Sequence, residues 1–441
     1  MTAELVIPAH AGPVRGRIRP PGSKSITNRA LVCAALARGT SRLTGVLDSQ
    51  DTRVMADGLA ALGVDLEADW RRGDVRVAGT GGVVPAREAT IDCQASGTTM
   101  RFLAAVCGLG RGTYRLDGTA RMRQRPIGDL VDSLRELGVD AAAESPGACP
   151  PVVVRSGGLA GGTAHVRADT SSQFASGLAL AAPCTPRGMR IEFTGPVVSE
   201  PYLEMTRRVM EAFDARCVAA EPGAWEIPPD GYRARDYAIE PDASAASYFF
   251  AAAAITGGVV RVDGLSRRSI QGDVAFCDAL ERMGCTVRWD DAGADGGSIT
   301  VEGRAGRGID VDMNAISDTV PTLAVVALFA DSPTTIRNVA HIRDKETDRI
   351  GDLVRELRRL GADATEQPDG LRIGPGPLHP ASLATYDDHR MAMSLALAGL
   401  RIDGVAIREP GCVAKTFPDY WIRLAAVADF PRGWPRDTPA G

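Results

Sequence analysis

Lysine is almost missing from this 441-residue chain. Of its 50 basic residues only Lys24, Lys345 and Lys415 are lysines, and every other one is arginine. Other absences narrow the function classes. The nine cysteines form no C-x-x-C pair and their count is odd, so they read as buried reduced thiols of a cytosolic protein, not a disulfide framework. The five histidines form no H-E-x-x-H, and no metal site is expected. There is no surplus of positive charge: the net charge is −5, against a general nucleic-acid binder. Apolar runs such as PTLAVVALFA fall well short of the ~20 residues of a membrane span. The N-terminus lacks the basic start and apolar core of a signal peptide. A bacterial cytoplasmic protein is expected, with a proline- and glycine-rich tail from Asp429 that frays.

The lysine bookkeeping is itself informative. A chain that takes arginine wherever a positive charge suffices keeps lysine where a compact point charge with a tunable pKa is needed. The bland alternative is chance survival on the surface. The surroundings, GSKS, RDKETDR and AKTFPDY, look like polar sites.

The chain repeats itself six times. Apolar helices begin near SITNRALVCAALA, GTTMRFLAAVCGL, SSQFASGLALAA, SAASYFFAAAAI, DTVPTLAVVALFA and DHRMAMSLALAGL. Each is followed by a glycine-bounded strand and a second, amphipathic helix. Four of the second helices end in LGVD, LGVD, MGCT and LGAD, with Gly63, Gly138, Gly284 and Gly361 as expected C-terminal caps. The third copy ends less regularly, at AFDAR. Leucines at steps of three and four in VDSLRELGV and DLVRELRRLG support these helices. VRVAG, GMRIEFTG and GVVRVDG read as strands. Six units suit two α/β domains of three units each, with a boundary near Glu240–Pro241 and a cleft between halves. The N-terminal strand segment could pair with either half.

Small and polar residues gather at helix starts, where free N–H groups suit phosphate or carboxylate. GSKSITNR, ASGTTMR, DTSSQF and DDHR are such points, and plain N-capping is the favoured reading of each one alone. PGSKS is not a nucleotide P-loop, because Ser23 separates Gly22 from Lys24. RMRQRPIGD adds Arg121, Arg123 and Arg125. HIRDKETDR alone reads as a solvated helix start laced with salt bridges, and for Asp318 in MNAISD an N-cap is the bland option.

Taken in order, PGSKSITNRA, GTTMRF, QRPIGDLVDSL, TSSQF, VSEPY, DASAASYFFAAAAI, KETDRI, DDHRMAMSLAL and AKTFPDYW resemble the 5-enolpyruvylshikimate-3-phosphate synthase family from about residue 8 to 425. The resemblance implies an inside-out α/β barrel fold: two similar domains, each of three βαβαββ units, residues 21–240 forming one and residues 1–20 with 241–441 the other. It implies transfer of enolpyruvate from phosphoenolpyruvate to the 5-hydroxyl of shikimate 3-phosphate by a monomer without cofactor or metal. By similarity, phosphoenolpyruvate meets Lys24, Gly97, Arg125, Gln173, Arg349, Arg390 and Lys415. Shikimate 3-phosphate meets Ser25, Arg29, Ser171, Ser172, Gln173, Ser199, Tyr202, Asp318, His341 and Lys345. The catalytic residues implied are Lys24, Asp318, Glu346 and Lys415, with Glu346 as acid toward the methylene carbon and Asp318 as base on the hydroxyl. All three lysines fall within this set.

The chain departs from the family pattern at Ala95, where asparagine is common, and at His341, where asparagine is frequent. Gly97 leaves room for glyphosate, and sensitivity is expected unless Ala95 and Phe102 reshape that space. Two alternatives remain: a sister enolpyruvyl transferase acting on UDP-N-acetylglucosamine, against which Lys24–Ser25 and Ser171–Ser172 speak, and a non-catalytic anion-binding protein on the same fold.

Overall fold

The computed structural model describes residues 3–221, 223–292 and 296–435. The chain divides into two units, Gly22–Ile239 and Met1–Pro21 with Glu240–Gly441. Among the described residues each unit carries three sheets and three pairs of helices.

In the unit Gly22–Ile239 the first helices of the pairs are α1 (Lys24–Leu36), α3 (Gly97–Gly108) and α5 (Ser172–Ala181). The second helices are α2 (Gln50–Ala61), α4 (Gly128–Glu136) and α6 (Glu200–Ala212). In the other unit α7 (Ala243–Thr256), α9 (Val320–Ala327) and α11 (His389–Ala396) alternate with α8 (Phe276–Arg282), α10 (Gly351–Arg359) and α12 (Tyr420–Val427).

The two kinds of helix differ because their sequences do. The first helices are small-residue and apolar on every face, and bury nearly every side chain; α7, ASAASYFFAAAAIT, is buried from end to end. A helix apolar all round belongs inside a core, and α1, α3 and α5 pack on one another within their unit. The second helices are amphipathic. In α10, Leu353, Val354 and Leu357 are buried while Arg355 and Arg358 face outward. The glycines after these helices take the left-handed conformation the sequence implied: φ is 89° at Gly63, 84° at Gly138, 111° at Gly284 and 89° at Gly361. The irregular third copy uses Asp214 at φ 64° for the same purpose.

Five of the six sheets of the described residues share one plan. Glu88–Asp92 runs parallel to Arg111–Asp117, which pairs antiparallel with Cys149–Gly157, itself antiparallel to Asp140–Ser145. With α3 and α4 between the strands this is a βαβαββ unit. The same order recurs for Gly162–Arg167 with Met189–Thr194, and for Asp310–Asp312 with Thr334–Arg337.

Two strands depart from sequence neighbourhood. Arg15–Ile18 directly precedes α1, yet pairs in parallel with Val259–Asp263, the strand after α7. Asp236–Ala238 directly precedes α7, yet pairs with Ala37–Thr44, the strand after α1. The other N-terminal strand, Glu4–Val6, pairs with Ala406–Arg408. Local pattern leaves the partner of the N-terminal segment open; these pairings assign both its strands to the unit that contains residues 240–441.

The tail corrects an expectation. Residues 429–435 do not fray: Phe430 is buried, Trp434 stacks edge-on against it at 4.8 Å, and the Trp434 indole donates to the Val6 carbonyl at 2.9 Å. Two large aromatics bury enough surface to hold a segment that proline keeps out of regular structure. Residues 436–441 lie outside the described residues. All nine cysteines are free thiols, seven of them buried. Among the described residues no helix is long and apolar enough to cross a membrane.

Candidate active site

The helix starts are capped as their sequences suggest. Ser23, Ser96, Ser171 and Asp388 each accept a hydrogen bond from a backbone N–H of the first turn of α1, α3, α5 and α11. Plain capping is therefore true of these four residues. The residues that follow them are the chemically interesting ones, because each cap fixes the first turn that carries them.

In the unit Gly22–Ile239, Lys24 opens α1 and lies 3.3 Å from the Asp51 carboxylate at the start of α2. Both side chains are largely withdrawn from solvent. At the start of α3, Gly97 lies beneath two guanidinium groups: a Cβ built there would stand 2.5 Å from Arg101 Nη1 and 2.9 Å from both terminal nitrogens of Arg125. Arg101 and Arg125 are both buried. Arg101 donates to the Gln173 amide oxygen at 2.9 Å and to the Pro126 carbonyl at 3.3 Å. One network thus ties the starts of α3 and α5 to the 122–126 turn and gathers Gly97, Arg125 and Gln173. Ser171 and Ser172 lie at the same start of α5. Arg29, one turn below Ser25, is almost completely buried over the Phe102 ring. It donates to Thr206 Oγ1 and to the carbonyls of Ser25 and Tyr202. Burial lowers its guanidinium to about 10. Ser199, left-handed at φ 53°, precedes α6, the helix that carries Tyr202.

The other unit gathers a second cluster. Arg349 is its centre. Its Nε donates to Asp388 at 2.7 Å, Nη2 to Glu346 at 2.8 Å and Nη1 to Asp318 at 3.2 Å. Burial alone pulls this guanidinium down, but Asp388, Glu346 and Asp318 outweigh it and hold it above the ordinary arginine value. Asp318 also accepts from Arg390 Nη2 at 2.6 Å, and Glu346 from Lys415 Nζ at 2.7 Å. Asp318 is not the N-cap its sequence suggested. It lies in the 314–319 turn ahead of α9, its carboxylate taken by two arginines, and Thr319 stands at the cap position. The HIRDKETDR stretch is not one solvated helix start either. Arg343 and Asp348 form a partly exposed pair, whereas Arg349 is fully buried. His341 is buried with Nε2 2.9 Å from Ser317 Oγ. Burial, then the Lys345 charge, lowers its imidazole to about 4, with Asp318 opposing.

Sequence reasoning missed Asp51, Arg101 and Asp388. Asp51 and Asp388 stand at helix starts, where acids are unremarkable. Arg101 is one arginine among many, and only its burial distinguishes it. Among the described residues no group of His, Cys, Asp and Glu side chains is arranged to hold a metal ion.

The chain has counterparts among known proteins. The model of the family "EPSP synthase (3-phosphoshikimate 1-carboxyvinyltransferase)" matches residues 8–424. A 3-phosphoshikimate 1-carboxyvinyltransferase of Nostoc punctiforme is 47% identical over 421 residues, covering 95% of this chain and 98% of that one. The enzyme of the same name from Thiobacillus denitrificans is 46% identical, covering 94% and 97%. Among solved structures, EPSP synthase from Acinetobacter baumannii superposes with a TM-score of 0.80 at 25% identity, covering 97% of this chain and 98% of that one. The enolpyruvyl transferase NikO from Streptomyces tendae superposes with a TM-score of 0.73 at 21% identity, a likeness of fold, over 97% and 98% of the chains. With a family model spanning nearly its whole length and relatives near half identical end to end, this chain belongs to the EPSP synthase family.

Proposed function

We propose that the protein transfers the enolpyruvyl group of phosphoenolpyruvate to the 5-hydroxyl of shikimate 3-phosphate, releasing phosphate. Family membership supports the reaction. The observation that carries the assignment of roles is the unbroken chain of contacts Asp318–Arg349–Glu346–Lys415, in which each carboxylate of the chemistry is held by two cationic groups.

Both substrates are polyanions. Lys24, Arg125, Arg349, Arg390 and Lys415 supply charge for phosphoenolpyruvate, with Gly97 and Gln173 shaping the approach. Ser25, Arg29, Ser171, Ser172, Gln173, Ser199, Tyr202, Asp318, His341 and Lys345 serve shikimate 3-phosphate. Charge-assisted hydrogen bonds contribute about 1.5–3 kcal/mol each, so several are needed to offset the desolvation of both anions.

Glu346 gives a proton to the methylene carbon of phosphoenolpyruvate, which makes the neighbouring carbon electrophilic. The 5-hydroxyl attacks that carbon while Asp318 takes its proton, and a tetrahedral ketal forms. Loss of phosphate, assisted by Lys24 and Lys415, and return of a methyl proton to the Glu346 carboxylate form the enol ether of the product. Both Glu346 oxygens accept from cations, Lys415 on one and Arg349 on the other. Anionic substrate competes for those cations, and this competition frees Glu346 to take up the proton it must deliver.

The test is phosphate release by the purified protein with phosphoenolpyruvate and either shikimate 3-phosphate or UDP-N-acetylglucosamine. Release with shikimate 3-phosphate alone is expected. Release only with the nucleotide sugar, or with neither, overturns the assignment.

A further inference from the structure

A buried carboxylate lies on a turn packed against the one that carries Asp318. Asp273 belongs to the single turn Gly272–Ala275, which packs on both α7 and the 314–319 turn. It is buried, and its Oδ2 accepts the hydroxyl of Ser244 in the first turn of α7. The charged groups facing it are Asp318 from the 314–319 turn, Arg390 from α11 and Asp242 from the N-cap of α7. Burial first and the Asp318 charge second push the Asp273 carboxyl up to about 7; Ser244 and Arg390 oppose the rise and Asp242 adds to it.

Buried Asp273 and partly buried Asp318 feel each other's charge, so the protonation of each affects the other. Asp318 has the stronger partners, Arg349 and Arg390. Below about 7 Asp273 therefore carries a proton, beside an Asp318 held by two arginines. Asp318 gripped by two arginines is a poor proton acceptor. Ionisation of Asp273 places a second negative charge beside it and strengthens it as a base.

We propose that Asp273 is a positioning residue that acts through Asp318, setting how strongly Asp318 draws the proton of the attacking hydroxyl. This rests on the reading of Asp318 as the proton acceptor.

The experiment is the pH profile of kcat for the parent enzyme, Asp273→Asn and Ser244→Ala. Parent kcat should rise as pH passes about 7, where Asp273 ionises. Asp273→Asn, fixed in the neutral shape, should lack that rise and be roughly three- to tenfold slower on the alkaline side. Ser244→Ala keeps the carboxyl but strips its donor, and should move the rise to higher pH. A uniform loss across all pH in Asp273→Asn, or a rise left in place in both variants, overturns the proposal. If Asp273→Asn does not fold, Ser244→Ala decides. If the parent turns over no substrate, the functional reading falls and a carbon-13 NMR titration of the carboxyl groups decides: a near-neutral step that disappears when Asp273 is replaced by Asn, or moves when Ser244 is replaced by Ala, supports the pairing, and one that does neither refutes it.

Discussion

The Asp388 carboxylate holds both Arg349 and the first turn of α11, with Oδ1 shared between them. Its oxygens accept from Arg349 Nε at 2.7 Å and Nη2 at 3.2 Å, and from the backbone amides of Arg390 at 2.8 Å and Met391 at 3.4 Å. One fully buried acid thereby fixes the positions of two arginines, Arg349 by its side chain and Arg390 by its backbone.

Replacing Asp388 by Ala should be severe. Breaking a buried pair costs about 3–5 kcal/mol when the remaining charge is stranded; Arg349 keeps Asp318 and Glu346, so the cost falls below that range, and losing the cap adds about 1 kcal/mol. Asp388→Asn keeps an acceptor for the cap and loses only the charge, so it should fall between. Urea denaturation measures both, and an Asp388→Ala variant as stable as the parent would contradict this account.

Lys24→Met keeps the length of the side chain and removes its charge. Turnover should fall by roughly 10²–10⁴, the usual worth of a positioned proton donor, while the thermal melt stays cooperative. Steady-state phosphate release reads the first and calorimetry the second. Full activity would remove Lys24 from the chemistry.

Gly97→Ala inserts a methyl group where Arg101 and Arg125 already stand, at 2.5 and 2.9 Å. The tips of flexible side chains can move, so the fold should survive. The cost falls on whatever anion those guanidinium groups hold. KM for phosphoenolpyruvate should rise on the order of tenfold, with kcat changed less, as expected when ground-state binding is lost. Glyphosate inhibition should weaken in parallel. An unchanged KM would place the anion elsewhere.

His341 makes stability depend on pH. Its folded value of about 4 lies below the ordinary 6.5, so the unfolded chain binds the extra proton between the two. Stability contributed by the neutral ring is complete above about 6.5 and is lost as pH falls toward about 4. The full loss is roughly 3 kcal/mol at about 1.4 kcal/mol per unit. Asp273 works in the opposite sense over an overlapping range, because its folded value is raised and its contribution grows as pH falls. The comparison is therefore His341→Asn against parent at each pH. The stability difference between them should shift in favour of the variant as pH falls through this window. A difference constant with pH would mean that the ring is not buried neutral.

Some of this molecule is written in short stretches of sequence. Ser23, Ser96 and Ser171 cap the helices their motifs announce, and Gly63, Gly138, Gly284 and Gly361 end helices as glycines do. The three lysines stand out by composition alone, and the structure takes Lys24 and Lys415 out of solvent and places each beside a carboxylate. The acids were less legible. Asp51, Asp318 and Asp388 all stand near helix starts, where a cap, an ion-pair partner and a catalytic base look alike. For Asp318 the cap is the bland reading of its position, and only the resemblance points to a base. Arg101 and Asp273 gave no local signal, since a buried charge has the same letter as an exposed one.

The sequence by itself determined the helices, their caps, the sixfold repetition and the family. These depend on neighbours within a few residues, or on motifs in order. Only the tertiary structure decided that Arg15–Ile18 and Asp236–Ala238 each pair with the strand after the other's following helix, that the tail packs by Phe430 and Trp434, and that Arg349 joins Asp318, Glu346 and Asp388. Strand partners are chosen by long-range hydrogen bonding, and the fate of a charge by what surrounds it after burial. Neither is encoded at a fixed spacing along the chain.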